Sequence, residues 1–307
     1  MPIHSLSSVL CFGHTMVTPG LMDLCAQKGV LLTFFSQSGR FIARVHGPVS
    51  GNVLLRRQQY RAADDPLVSA QIASWFVLGK IANARNVLQR GARESADPAT
   101  TPLNTAVKHL GRIFPRLLTL EDVDSVRGWE GDASRAYFAA FDHLITADKA
   151  NFFFNQRSRR PPLDNVNTLL SFLYTLLVSE CVAALEGVGL DPSVGFLHRD
   201  RPGRPSLALD LMEELRPMLA DRLALSLINR RQAGASGFRR TESGAVLMGD
   251  DLRKQVLQAW QKRKQEEIVH PFLGEKVMVG LLPHIQALLL SRYLRGDLDA
   301  YPAMVWK

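Results

Sequence analysis

The run Leu207-Ala208-Leu209-Asp210-Leu211-Met212-Glu213-Glu214 places three carboxylates among aliphatic residues. At i, i+3 and i+4 they share one face of a helix. The apolar neighbours Leu207, Leu209, Leu211 and Met212 predict that the helix is largely buried. Buried carboxylates lose hydration and repel one another, so at least one of them is expected to meet a metal ion or a basic group. Arg216 alone cannot reach all three. Two other places carry ligand-type side chains. Glu130 lies in Trp129-Glu130-Gly131-Asp132, which reads as the opening of a helix that continues through Tyr137; a carboxylate there is also an ordinary partner of the helix dipole. His198 closes Gly195-Phe196-Leu197-His198 after the turn Gly189-Leu190-Asp191-Pro192. Taken singly, Glu130 and His198 each read more simply as structural. Taken with the acidic helix, oxygen ligands plus one imidazole suit Mg²⁺ or Mn²⁺ better than a closed zinc site.

Other chemistries lack their residues. The sequence contains no GxSxG, no Walker GxxxxGK[ST], no HExxH and no GxGxxG after a strand. Cys11, Cys25 and Cys181 are an odd, widely spaced set, which argues against a disulfide framework or structural zinc. Cys181 and Tyr174 fall in an apolar helical run and read as packing, although a buried Tyr174 hydroxyl requires a partner. The first residues, MPIHSLSSVL, carry no basic segment ahead of their apolar ones, unlike a signal peptide. The longest apolar stretch, Leu169 to Leu185, is interrupted by polar residues and is not expected to span a membrane. These features predict a soluble, cytoplasmic protein of a reducing compartment with no membrane partner.

Charge narrows the partner. The chain of 307 residues has 37 Lys and Arg against 29 Asp and Glu, a formal charge of +8. Between Arg222 and Lys264 stand ten basic and three acidic residues, so seven of the eight surplus charges lie in that segment. A second knot, Arg157-Ser158-Arg159-Arg160, has no acid between Lys149 and Leu163. Lys and Arg interleaved with Asn, Gln and Ser suit contacts to a phosphate backbone, where each cation releases counterions. Nucleic acid is therefore the expected partner.

The elements that must position these groups change character along the chain. Val30–Ser36 and Phe41–His46 are β-rich runs joined by Gln37-Ser38-Gly39-Arg40, a hairpin signature. A further strand is predicted over Leu6–Phe12, and a short helix from Thr18-Pro19 to Gly29. Residues 47–52, rich in Gly, Pro, Ser and Asn, read as a connector. Beyond it, helices are predicted over Pro66–Arg90, Ala133–Ile145, Asp164–Leu185, Ser206–Arg216, Pro217–Asn229, Asp250–Glu267 and Gly274–Arg295. No internal repeat or low-complexity tract is present. The fold class is a small α+β N-terminal piece, residues 1–48, followed by a larger all-α domain, residues 49–307.

Five segments, GWEGDASRAYF, RSRRPPLDNVNTLLSFLYTLL, GLDPSVGFLH, GRPSLALDLMEELRP and RRTESGAVLMGDDLRK, together resemble the CRISPR-associated adaptation endonuclease/integrase (Cas-one) family, most closely its I-C subtype. The likeness runs in order across nearly the whole chain. It implies an N-terminal β domain before a helical catalytic domain. It also implies a divalent ion, Mg²⁺ or Mn²⁺, held by Glu130, His198 and Glu213, with Asp210 as a supporting carboxylate. Arg157, Arg159, Arg160, Arg230, Arg231, Arg239 and Arg240 would then hold DNA phosphates. The implied activity is insertion of spacer DNA into a CRISPR array by 3′-hydroxyl attack, with nuclease action on branched DNA. The implied partners are double-stranded and branched DNA, a second copy in a homodimer, and the small Cas-two protein. Family members usually have several strands before the segment matching MPIHSL, so the resemblance also implies a shortened N-terminal sheet. The alternative reading is a non-catalytic branched-DNA-binding scaffold of the same complex; a third is a branched-DNA nuclease with no role in integration.

Overall fold

A computed structural model describes residues 3, 6, 8–37, 41–45, 47, 53–94, 101–119 and 122–306. The N-terminal part is a three-stranded sheet in the order β1 (Ser8–Phe12), β2 (Leu31–Phe35), β3 (Phe41–Val45). Strands β1 and β2 are parallel, with Leu10 opposite Thr33, and β3 pairs antiparallel with β2. Parallel neighbours need a crossover, and helix α1 (Pro19–Gln27) supplies it. The Thr18 hydroxyl caps α1 by accepting from the Leu21 N–H, and Gly29, at φ +65°, stops it in the left-handed conformation that glycine tolerates. Cys11, Cys25, Val30 and Leu32 form a small core of their own. Phe12 stacks on Phe35 and reaches Phe172 of the helical part, with ring centroids 5.9 Å apart. Ser38, Gly39 and Arg40 of the expected hairpin turn, and residues 48–52 of the expected connector, lie outside the described residues.

The helical part is built around α3 (Pro66–Glu94), a 29-residue helix with α4 (Thr101–Leu117), α5 (Val123–Phe141) and α7 (Ser206–Arg216) packed on it. Asp65 starts α3 by accepting from the Leu67 and Val68 N–H groups. Helix α6 (Asn165–Gly187) packs against α7 and α10 (Leu282–Leu294). Its length and mean hydropathy of 1.8 match a membrane span, although polar interruptions predicted otherwise. Two thirds of its most apolar window (67%) is buried inside the protein, as in a core helix. Cys181, on this helix, is fully buried in the core.

Several expectations change. Helix α2 (Val53–Asp64) and α4 were not predicted. Strands also occur late in the chain, in two short antiparallel hairpins: β4 (Phe238–Arg240) with β5 (Val246–Met248), and β6 (Glu267–Val269) with β7 (Lys276–Met278). The second hairpin occupies the start of the helix expected over Gly274–Arg295. The predicted helix Pro217–Asn229 begins instead with a π-helical turn, Pro217–Asp221, that continues α7 into α8 (Arg222–Asn229). Helix α9 (Asp250–Lys264) ends three residues before the expected Glu267.

Candidate active site

Helices α3, α5 and α7 meet around Lys80, Glu130 and Glu213. Glu130 is not in the opening turn of a helix. Helix α5 begins earlier, where Asp122 caps it by accepting from the Ser125 N–H at 2.7 Å, and Glu130 lies in its middle. A dipole role for Glu130 is thereby removed, since such effects are confined to the terminal turns. Its side chain is 26% exposed, and its Oε1 accepts from Ser134 Oγ at 2.8 Å and from Lys80 Nζ. Glu213 projects from α7 with 7% of its side chain exposed, 2.7 Å from the same Lys80 Nζ through Oε2 and 3.2 Å from Arg216 through Oε1. One lysine thus bridges carboxylates from two helices.

The close approach of α3 to α7 rests on a glycine. A Cβ built on Gly79 would lie 2.8 Å from Glu214 Cβ and 3.3 Å from Ala303 Cβ. One residue later in the same turn, Lys80 is therefore delivered to the acidic face.

Burial is the largest influence on the Glu213 carboxyl and opposes its charge, but Arg216, Lys80 and His198 outweigh it and hold the group down at about 2. The Lys80 contact with Oε2 is an ion pair lying outside hydrogen-bonding directions, and that buried oxygen has no hydrogen-bond partner.

The third expected ligand is set by a separate device. Asp210, with no exposed surface, accepts from the backbone N–H groups of Phe196, Leu197 and His198 at 2.7–2.9 Å, and its Oδ1 lies 2.6 Å from His198 Nδ1. A carboxylate that already gathers three donors orients the imidazole and leaves Nε2 as the free nitrogen. The loop reaches α7 this closely because residue 195 is glycine: a Cβ there would meet Asp210 Oδ2 at 2.8 Å. Arg127 of α5 donates to the Leu197 carbonyl, tying the same loop to the helix that carries Glu130.

The three carboxylates of α7 are thus divided among different partners. Asp210 holds the loop, Glu213 faces the cations, and Glu214 turns to the opposite side, accepting from Tyr301, Gln286 and the Met304 N–H. The donor set of Glu130, Glu213 and His198 suits a hard divalent ion, and Glu213 Oε2, ion-paired with Lys80, accepts no hydrogen bond. The three side chains are not drawn into a single ligand group. Among the described residues no three His, Cys, Asp or Glu stand close enough to hold an ion, and the cation between the carboxylates is Lys80.

Sequence reasoning missed Lys80 and Asp221 and left Arg216 unplaced. Lys80 looks like one more position on a core helix. Arg216 was noted but not placed against Glu213. Asp221, buried in the π-helical turn, accepts from Tyr137 at 3.0 Å and Tyr174 at 2.5 Å, which gives the Tyr174 hydroxyl its required partner. Burial raises the Asp221 carboxyl against the opposing pull of Arg216 and these two hydroxyls. The guanidinium groups of Arg216 and Arg157 both lie over the Tyr174 ring, at 4.9 and 5.1 Å.

The expected phosphate-holding arginines divide into two kinds. Arg157 is committed internally: it donates to Asn167, Ser171 and the Ser158 carbonyl as well as stacking on Tyr174. Arg159 and Arg160 are exposed on the loop that Arg157 anchors. Exposed Arg239 and Arg240 sit on β4, and Arg240 donates to the Leu163 carbonyl at 3.2 Å, while Val246 N–H of β5 donates to Pro162. The hairpin and the arginine loop are therefore neighbours, and two basic clusters far apart in sequence form one surface. Arg230 and Arg231 are exposed just beyond α8. Much of the surrounding charge is spent internally. Lys264 pairs with Glu180, Arg263 with Glu266 and Arg253 with Asp250, and Arg222 stacks on Trp306.

A small three-stranded sheet with its crossover helix on a helical body, with carboxylates and an oriented imidazole near a basic surface, has the parts needed for phosphodiester chemistry. Comparison with known proteins gives the class a family. Residues 1–262 match the family described as CRISPR associated protein Cas1. CRISPR-associated endonuclease Cas1 2 of Rhodospirillum rubrum is 55% identical, over 100% of this chain and 90% of its own. Among solved structures, a casposase bound to integration product superposes with a TM-score of 0.83 at 22% identity, covering 98% of this chain and 82% of that one. A Cas6-RT-Cas1–Cas2 complex gives 0.81 at 23% identity, covering 98% of this chain and 32% of that one. At those identities the structural likeness concerns the fold. The chain belongs to the Cas1 family.

Proposed function

We propose that the chain is a divalent-metal-dependent DNA endonuclease and integrase that inserts new spacer DNA into a CRISPR array. The observation that carries this reading is the convergence of Glu130 and Glu213, from two helices, on one cation beside an imidazole held by Asp210. Family membership supports the endonuclease class, since the Rhodospirillum rubrum relative is named an endonuclease.

In integration, the oxygen of a donor 3′-hydroxyl forms a bond to a target phosphorus, the bond from that phosphorus to the target 3′ oxygen breaks, and one proton passes in net from the attacking to the departing oxygen. In cleavage, water takes the place of the donor hydroxyl. Mg²⁺ or Mn²⁺ held by Glu130, His198 and Glu213 supplies, when bound, positive charge at the phosphoryl and departing oxygens. Glu130 and Glu213 provide the negative charge that holds a cation at the meeting of α5 and α7. Asp210 fixes the His198 ring through Nδ1, so that Nε2 is the nitrogen offered for ligation. Arg159, Arg160, Arg239 and Arg240 hold the phosphate backbone with little base readout, and Arg230 and Arg231 extend the positive field. Arg157 shapes the loop from beneath.

The DNA is double-stranded or branched, and the assembly is a homodimer with a Cas2-like partner. The solved relatives described as bound to integration product and as complexed with Cas2 support the DNA and the Cas2-like partner. Within the family, subtype I-C is the narrower assignment.

The test is strand transfer with Mn²⁺ by Glu130→Ala, His198→Ala and Glu213→Ala. All three are expected to lose product; full activity in any two of them would remove the assigned site. Tight binding of branched DNA by the unaltered protein, with no Mn²⁺-dependent product, would leave the non-catalytic scaffold.

A further inference from the structure

We infer that Lys80 is a resident counter-cation of the carboxylate pair, which the divalent ion must displace, and that the displaced ammonium is received by a DNA phosphate, so that ion loading and DNA binding reinforce each other. The inference rests on the assignment of Glu130 and Glu213 to the ion, and concerns what else occupies that place.

Three observations carry it. The Lys80 side chain is 6% exposed and its Nζ contacts Glu130 Oε1 and Glu213 Oε2, so that it stands between the two carboxylates that would hold the ion. The cluster in direct contact is balanced: Lys80 and Arg216 carry two positive charges against the two negative charges of Glu130 and Glu213. Adding a doubly charged ion to a balanced, largely buried cluster leaves two uncompensated positive charges, which is costly in a low-dielectric setting. Either a resident cation leaves or anions arrive.

The remaining observation says which cation can leave. Arg216 is held by Glu213 and by the Tyr174 ring. Among the described residues, Lys80 has only the two carboxylates as partners for its ammonium. Its backbone cannot move away, because Gly79 is packed against Glu214 and because Asn83, one turn on, donates to the Glu214 and Met304 carbonyls. The flexible four-carbon stem is the part free to turn. A swung-out ammonium beside Glu130, whose side chain is a quarter exposed, meets solvent or substrate. A phosphate there pairs with the displaced ammonium and takes up one of the two surplus charges. By linkage, DNA then tightens the ion and the ion tightens DNA by the same factor.

The experiment uses full-length protein, Mn²⁺ titrated by electron paramagnetic resonance, and thermal melting, for the unaltered chain, Lys80→Met and Lys80→Arg. Far-UV circular dichroism checks the fold of each. Without metal, Lys80→Met is expected to melt lower, since two carboxylates lose their shared cation, while Lys80→Arg keeps most of the stability. Without DNA, Lys80→Met is expected to bind Mn²⁺ about tenfold tighter or more, about 1.4 kcal/mol by the usual conversion. Branched DNA is expected to tighten Mn²⁺ binding strongly in the unaltered chain and much less in Lys80→Met. Equal or weaker Mn²⁺ binding by Lys80→Met, or an unchanged metal-free melting temperature, overturns the inference while the ion site stands. Mn²⁺ binding that is identical in Glu213→Ala and the unaltered chain overturns the ion site itself, and the displacement with it.

Discussion

Glu213 and Glu214 are sequence neighbours on α7, both buried, yet their carboxyls move in opposite directions. Burial is the largest influence on each and raises both. At Glu213 the charges of Arg216, Lys80 and His198 reverse it, giving about 2. At Glu214 the partners are the Tyr301 hydroxyl, the Met304 N–H and the Gln286 amide, which are uncharged and offset burial only in part, giving about 7. One side of a single helix therefore stores negative charge. The other uses the same residue type to strap residues 301–304 to the core. Depth of burial does not separate the two roles; the charge of the partners does.

The sharpest way to break this contrast is paired substitution. Glu213→Ala is expected to lower Mn²⁺-dependent strand transfer by about 100-fold or more, while Glu214→Gln stays within about tenfold and loses stability instead. Equal losses of activity would erase the distinction. A second test attacks the spacing that separates the two faces. Gly79→Ala puts a methyl 2.8 Å from Glu214 Cβ, and the overpacking should cost about 1–3 kcal/mol in denaturant melts, more than the methyl gains in helix propensity.

The pH dependence of stability has opposite signs at the two residues. Glu214 keeps its proton in the folded chain when the unfolded chain has released it, so its contribution falls as pH rises from about 4.5 to about 7. Glu213 is depressed, so its contribution is present above about 4.5 and is lost as pH falls towards about 2. Melting between pH 5 and 8 should therefore be flatter for Glu214→Gln than for the unaltered chain; parallel profiles would contradict the assignment. The smallest effect lies at the arginines. Arg159→Ala should weaken DNA binding and lower the salt slope by about 1 with no change in melting, whereas Arg157→Ala should lower the melting temperature, because its guanidinium is tied to Asn167, Ser171 and Tyr174.

Elements with strong periodicity and clear caps were legible in the sequence. The bounds of α7, Ser206–Arg216, coincide with those read from its apolar pattern, and Thr18 and Asp65 start their helices as capping residues. The late hairpins were not legible, because three-residue strands carry no measurable alternation. The aliphatic spacing of α10 also runs back through β7 when read as text, as far as the left-handed turn at Gly274. Helix α4 was overlooked although Leu103, Val107, Leu110, Phe114 and Leu117 stand at helical spacing along it. At the site, the ligand types of Glu130, His198 and Glu213 could be named, but not Lys80. A lysine at a core position of a 29-residue helix has no local signature, and its role exists only where α3, α5 and α7 meet. The acids of α7 were expected to need a cation; which acid met which partner depended on the folding of residues 195–198 and 301–304.

The most direct measurement is anomalous diffraction from a crystal of the full chain soaked in Mn²⁺. The predicted result is a manganese peak bonded to the carboxylates of Glu130 and Glu213 and to His198 Nε2, with the Lys80 ammonium moved out from between them. A peak elsewhere, or none, with Lys80 still bridging the two carboxylates in the soaked crystal, would contradict the assigned centre.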